Sequence, residues 1–203
     1  MRFHLRSITT LAALAAAACG GSTEPRSTDE RPSGDLTVVT RVNAPALVSS
    51  SVSFWAKKGE NREAVLVYAN SASGGGGAEF MRLRIDAKSL DRRPDGSAIA
   101  FGDSVLITAT AVPGRVQVDL QPSGLRFSAA DPAEIKLRFA ESNDDINGDG
   151  RHDATDDALK LTLAVWAQES AGLPWTKLVT DLRLDVDEAH AKLLGFTSYA
   201  VAY

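Results

Sequence analysis

Apolar residues recur at every second position in ten short segments of the chain. This alternation places the apolar side chains on one face of an extended segment, which is typical of half-buried β-strands. The segments cover residues 36–42, 52–56, 64–68, 81–85, 105–109, 116–120, 135–139, 159–165, 182–186 and 199–203.

Glycine, proline and short polar residues separate these segments and favour turns. Such residues fall at 58–61, 94–96, 113–114, 122–124, 131–132 and 172–174. Short strands at this spacing predict an all-β domain, either an antiparallel β-sandwich or a barrel, and we expect the sandwich. No 3.6-residue period is sustained for three turns beyond the N-terminal segment, so the pattern predicts no helix in the domain.

The N-terminal segment has a different pattern. Basic residues Arg2 and Arg6 precede an apolar run over residues 8–18, and small residues lead up to Cys19. A basic start, an apolar centre and a small-residue end are typical of a secretory signal. The apolar run is too short to span a bilayer, which needs about 20 residues.

Cys19 is the only cysteine of the chain. The segment around it resembles a bacterial lipoprotein signal, with Ala16 at the position where such signals usually carry leucine. The resemblance implies cleavage before Cys19, acylation of its sulfur, and a lipid-anchored protein of the bacterial cell envelope. Ordinary export is the alternative, because Ala16 and Ala18 also fit a soluble-export cleavage site. Acylation, however, accounts for a single unpaired cysteine in an exported chain.

These observations divide the chain into a signal peptide (1–18), a flexible tether (19–35) and a β-sandwich domain (36–203). Residues 20–35 carry no large apolar side chain and cannot bury enough surface to fold alone.

Removing the signal peptide takes away Arg2 and Arg6 and lowers the net charge from −4 to −6. Nucleic acid is therefore not an expected partner, because binding its phosphates depends on clustered lysine and arginine.

The most specific chemical feature is a twelve-residue segment at 145–156. Its spacing fits the EF-hand loop template, in which oxygen atoms surround a Ca²⁺ ion. Gly150 stands at position 6, where the chain must turn sharply, and Arg151 at position 7 offers its backbone carbonyl. Positions 1, 3, 5, 9 and 12 carry the oxygen-bearing side chains of Asp145, Asn147, Asp149, Asp153 and Asp156.

The same segment resembles a single dockerin repeat, which also ends on aspartate rather than glutamate. Dockerins have two repeats flanked by helices, whereas here residues 135–139 and 159–163 have the alternation of strands. We therefore expect one structural Ca²⁺ site in a long hairpin loop, and a cohesin partner is not implied. The alternative is a solvated acidic tip, since six carboxylates and one arginine lie between Asp144 and Asp157 and repel one another without a counter-ion.

The second half of the chain resembles bacterial ZU5-like sandwich domains. Three segments carry the resemblance: Pro122 to Phe127, Pro132 to Leu137, and Gly195 to Ala202, with Trp175 in a hairpin between the last two. The resemblance implies a β-sandwich used for structure or interaction, with no catalytic residues to transfer. An unrelated sandwich with similar strands is the alternative.

No enzyme activity is expected. The mature chain has only His152 and His190, and no GxSxG, HExxH or clustered Cys/His motif. We expect a non-catalytic envelope module for structure or interaction, stabilised by calcium, with an envelope protein or a polysaccharide as its partner. The alternative is a carbohydrate-binding module, in which exposed indoles among Trp55, Trp166 and Trp175 stack on sugars.

Overall fold

The computed structural model describes residues 26–41, 44–69, 77–142 and 144–203, without the side chains of residues 26–28. Two antiparallel sheets pack against each other, which confirms the predicted all-β sandwich. The described part also contains one short helix, α1 (Ala154–Lys160). A two-stranded ribbon, β5 (Leu90–Arg92) and β8 (Arg126–Phe127), lies beside the sheets.

The two sheets have seven and five strands. The larger one contains, in spatial order, β1 (Arg26–Arg31), β11 (Trp175–Leu178), β10 (Ala164–Gln168), β14 (Ser198–Ala202), β7 (Gln117–Gln121), β6 (Ser104–Ala111) and β2 (Ser51–Lys57). The smaller one contains β12 (Thr180–Arg183), β13 (Glu188–Leu193), β9 (Ala133–Arg138), β4 (Glu79–Ile85) and β3 (Arg62–Val67).

The main core fills the space between the sheets. In β9, Ile135 and Leu137 are fully buried while Lys136 between them faces outwards, and β6 buries Ile107 in the same alternating way. Each such aliphatic side chain contributes about 1.5–3 kcal/mol to folding when it leaves water. The sequence alternates because one face of each strand packs into the core and the other faces solvent.

A second, smaller apolar cluster lies apart from the main core. It joins Trp166 and Trp175 to small residues of β10 and β14, and Leu36 and Val38 pack against it. The indole Nε1 of Trp166 donates a hydrogen bond of 3.2 Å to the carbonyl of Ala202. Leu36 and Val38 thus help to cover two tryptophans that would otherwise face solvent.

The N-terminal boundary of the folded part differs from the predicted one. Residues 26–31, which their composition placed in the tether, form β1 and pair with β11. Backbone N–H and C=O groups at a sheet edge accept an added strand whatever its side chains are, so a polar sequence can pair there. Residues 36–42 were predicted to form a strand, but the described residues among them form only two isolated bridges, Val38 with Ala202 and Thr40 with Arg115.

Two further segments were predicted incorrectly. The alternation at 159–165 is not one strand, because α1 runs to Lys160 and β10 begins only at Ala164. The exposed side chain of Leu161 shows that the period-two pattern there was accidental. At 182–186, β12 ends at Arg183, and Leu184 and Val186 lie in the exposed turn before β13.

Candidate calcium-binding loop

The predicted loop connects the two sheets. It follows β9 of the smaller sheet and leads through α1 into β10 of the larger one. It is therefore a crossover connection, and the expectation of a hairpin loop was wrong because β9 pairs with β4 and β13 and not with β10. The expectation of a strand after the loop was also wrong, since a helix follows it, as in EF-hand and dockerin loops.

Asp145, at position 1, organises the first half of the loop. Its Oδ1 accepts hydrogen bonds from the backbone N–H groups of Gly148 (2.8 Å) and Asp149 (3.0 Å). Its Oδ2 accepts a third from Gly150 at 2.7 Å. One carboxylate thus gathers three successive amides into a tight turn around itself.

The side chains at positions 3 and 5 continue this turn. Asn147 Oδ1 accepts from the N–H of Asp149 at 2.8 Å, and Asp149 Oδ1 accepts from the N–H of Arg151 at 3.0 Å. Gly150 has a φ of +89°, a conformation that side chains with a Cβ rarely adopt. The glycine at position 6 is therefore required by the backbone of the loop.

Asp153 and Asp156 form the helical end of the loop. Asp153 caps α1 by accepting from the N–H of Thr155 at 2.7 Å, and Asp156 reaches back to the N–H of Asp153 at 3.0 Å. This reciprocal arrangement is a capping box, here with aspartate in place of the usual glutamate or glutamine. Asp153, at position 9, is therefore the N-cap of the helix, and Asp156, at position 12, lies in its first turn.

Asp156 also closes the loop on itself. Its Oδ1 accepts from the N–H groups of Ile146 (2.8 Å) and Asn147 (3.0 Å), and its residue surface is 1 % exposed. Hydrogen bonds from the N–H groups of Asn147 and Asp153 lower the pKa of the Asp156 carboxyl, against the opposing effect of desolvation. The side chain at position 12 is therefore buried, and its hydrogen bonds favour the ionised form.

The side chains of the loop carry the type of oxygen atom that binds calcium. Asp145, Asn147, Asp149, Asp153 and Asp156 offer hard oxygens, and Ca²⁺ takes six to eight such ligands at 2.3–2.6 Å. Within the described residues, however, no three acidic, histidine or cysteine side chains meet closely enough to hold an ion as they stand. The carboxylates of Asp145 and Asp156 instead accept backbone N–H groups of the loop.

Two contacts that the sequence did not predict join this region to the sandwich. The hydroxyl of Tyr203 donates to the carbonyl of Ile146 at 3.0 Å, and Lys160 Nζ lies 2.7 Å from Asp187 Oδ1. Tyr203 and Asp187 are far from the loop in sequence, and Lys160 lies outside the twelve-residue template. No sequence motif therefore predicted these contacts.

The remaining candidate residues lie elsewhere. His152 is exposed and contacts Asp157 at 3.3 Å, while His190 contacts Glu188 at 3.0 Å on β13. Trp166 and Trp175 are buried, and Trp55 is 61 % exposed. Cys19, the predicted acylation site, lies outside the described residues.

Neither a family model, nor a curated protein, nor a solved structure matches this chain. The resemblance to ZU5-like domains and to lipoprotein signals therefore stays a prediction. The single helix of the described part is too short to cross a membrane.

Proposed function

We propose that this chain is a non-catalytic lipoprotein of the bacterial cell envelope, whose ZU5-like β-sandwich serves as a structural or interaction module stabilised by Ca²⁺. The observation that carries the proposal is the loop at 145–156. Its turns form around the side chains at positions 1, 3 and 5, and its helix begins after position 9. Each of these features matches the EF-hand template that the spacing alone predicted.

Calcium has a physical role in such a loop. Asp145, Asp149, Asp153 and Asp156 lie within twelve residues, and their mutual repulsion opposes closure of the loop. A divalent cation ligated by these groups, by Asn147 and by the Arg151 carbonyl removes that repulsion. Because the loop joins the two sheets and is tied to Tyr203, ordering it stabilises the sandwich as a whole.

The membrane anchor is tested by changing Cys19. Several acyl chains on this residue give durable membrane binding, because each buried CH₂ contributes about 0.8 kcal/mol. We expect the wild-type protein to partition into the detergent phase of envelope extracts and Cys19→Ser to move to the aqueous phase. Ser22→Ala, which changes a nearby tether residue, is the control and should partition like wild type. Equal partitioning of the wild type and Cys19→Ser would refute the lipoprotein assignment.

Carbohydrate binding is the second candidate, and one exposed patch favours it. Trp55 of β2 lies directly opposite Leu106 of β6, and both side chains are exposed. Beside them, Ser53 pairs with Thr108 through hydroxyls 2.7 Å apart. The indole can stack on a sugar ring, and the hydroxyl groups beside it can hydrogen-bond the edge of that ring. A flat binding surface for a polysaccharide, however, needs a row of two indoles, and this patch has one. The structural or interaction role is therefore the better supported.

A pull-down from intact envelopes distinguishes the two candidates. The structural module predicts capture of an envelope protein, whose retention depends on millimolar Ca²⁺. Carbohydrate binding predicts retention of the module on purified envelope polysaccharide and loss of that retention in Trp55→Ala.

A further inference from the structure

An apolar pocket of about 510 Å³ is lined by residues of both sheets and by no residue of the candidate calcium loop. Its lining includes Leu178 and Val179, at the corner where the chain passes from β11 to β12. The lining also includes residues of the main core, namely Leu125, Leu193, Phe196 and Tyr199. The volume lies within the range of about 300–1,000 Å³ that is usual for small-molecule sites.

Two polar side chains of this pocket, Thr197 and Tyr199, already have partners within the protein. The Tyr199 hydroxyl donates to the carbonyl of Gly195 at 2.5 Å, and the Thr197 hydroxyl donates to the carbonyl of Gln168. A polar ligand body would find these two hydroxyls already engaged and would lose its own hydrogen bonds to water. Together with the leucine, valine and phenylalanine side chains of the lining, this favours an aliphatic ligand body.

The charged residues of the lining carry an excess of positive charge. They are Arg126 and Lys192, with Glu169 as the one carboxylate. Lys192 is held by Glu134 at 2.5 Å, whereas exposed Arg126 forms no ion pair with any residue that the structure describes. A guanidinium in this position suits a carboxylate, which it can bind through two parallel hydrogen bonds.

We propose that this pocket binds a long-chain fatty acid, with the alkyl chain between the sheets and the carboxylate on Arg126. The apolar lining selects the chain, and the guanidinium of Arg126 selects its acidic end over an alcohol or an amine. The site is separate from the calcium-type loop and uses no residue of the tether. Failure of the calcium or the anchoring proposal would therefore not affect this one, and its own failure would not affect them.

The test uses the exported Cys19→Ser protein, so that detergent is not needed, and measures displacement of a fluorescent fatty acid below micellar concentrations. Palmitate, hexadecanol and hexadecyltrimethylammonium serve as competing probes. We expect saturable 1:1 binding of palmitate and clearly weaker binding of the other two. Arg126→Gln should weaken palmitate binding at least tenfold, because it removes the charge and both hydrogen bonds to the carboxylate, and should leave hexadecanol binding unchanged.

Two matched pairs of variants separate the pocket from general effects. Val179→Asp changes an exposed wall residue and should abolish binding, whereas Val48→Asp changes an equally exposed valine outside the pocket and should not. Arg84→Gln removes an exposed arginine outside the pocket and is the control for Arg126→Gln. Thermal melting of each variant checks that it folds. Absence of saturable palmitate binding, equal binding of the anionic and cationic probes, or equal loss in Val48→Asp and Val179→Asp would overturn the proposal.

Discussion

The hydroxyl of Tyr203 donates a hydrogen bond of 3.0 Å to the carbonyl oxygen of Ile146. Tyr203 directly follows β14 in the middle of the larger sheet, and Ile146 is the second residue of the candidate calcium loop. A single side chain therefore connects the loop to a strand of the larger sheet.

Tyr203→Phe should lower the free energy of unfolding by about 1 kcal/mol, because it removes this hydrogen bond and leaves the ring in place. Urea denaturation measures the change. Tyr68→Phe is the matched control: the buried Tyr68 hydroxyl lies near Arg41 but has no hydrogen bond of normal geometry among the described residues, so its removal should cost less than that of the Tyr203 hydroxyl. Equal losses in the two variants would show that the contact with Ile146 contributes nothing.

A network of charges on the outer face of the smaller sheet predicts a pH dependence. Glu79 of β4 contacts Arg82 and lies 3.0 Å from Lys136. The hydrogen bond from Arg82, assisted by Lys136, lowers the pKa of the Glu79 carboxyl to about 2. Because the folded-state pKa is below the ordinary value of 4.5, this stabilisation is fully present above pH 4.5 and is lost as the pH falls through about 2.

Glu79→Gln should therefore destabilise the protein at pH 7 by about 1 kcal/mol, a value reduced by the partial solvent exposure of the group. Urea denaturation at several pH values should show the difference from wild type shrinking below pH 4.5 and vanishing near pH 2. Glu134→Gln, which removes the partner of the more exposed Lys192, should cost less than about 0.5 kcal/mol. A difference between wild type and Glu79→Gln that persisted at pH 2 would contradict the ionic origin of the effect.

The tryptophans differ sharply in burial and should differ in their contribution to stability. Trp166 is 1 % exposed, and the cations of Arg31 and Lys177 lie 5.4 and 5.8 Å from its ring, so Trp166→Ala should cost about 3–5 kcal/mol. Trp55 is 61 % exposed, and Trp55→Ala should change stability by no more than about 0.5 kcal/mol. Urea denaturation of the two variants checks this, and a large loss in Trp55→Ala would mean that the exposed patch is part of the folded core.

The sequence predicted the strands that bury one face, because burial is what selects alternating residues. This applies to β4 and β9, whose inward residues are fully buried. It could not predict β1, since an edge strand is held by backbone hydrogen bonds and leaves no mark on the side-chain pattern. Helix α1 has seven residues, too few to show a 3.6-residue period, although Asp153 and Asp156 already had the spacing of a capping box.

For the candidate site, the sequence predicted which side chains carry the oxygens and where the chain must turn. The positive φ of Gly150 agrees with its template position. The sequence did not predict that Asp156 would be buried and would hold the N–H groups of Ile146 and Asn147, because that contact depends on how the helix folds back on the loop. Nor did it indicate the pocket proposed to bind a fatty acid, whose lining residues come from distant parts of the chain.

Calcium should stabilise the folded protein through the loop at 145–156. A single loop without a paired partner should bind with a Kd on the order of 10⁻⁴–10⁻³ M, as in extracellular modules. Binding to the folded state alone adds about 1.4 kcal/mol at a tenfold excess over Kd, so the melting temperature should rise by a few degrees in millimolar Ca²⁺. Mg²⁺ should have much less effect, because it demands octahedral geometry and releases its water reluctantly.

Two neighbouring substitutions decide whether the loop is responsible for this response. Asp149→Ala removes a predicted ligand and the acceptor for the N–H of Arg151, so it should abolish the calcium-dependent rise in melting temperature. His152→Ala removes an exposed side chain that contacts Asp157 and is not a predicted ligand, so the rise should remain. Melting both variants with and without Ca²⁺, in parallel with wild type, gives the comparison. If Asp149→Ala responds to Ca²⁺ as wild type does, the segment is a solvated acidic loop and the calcium site is excluded.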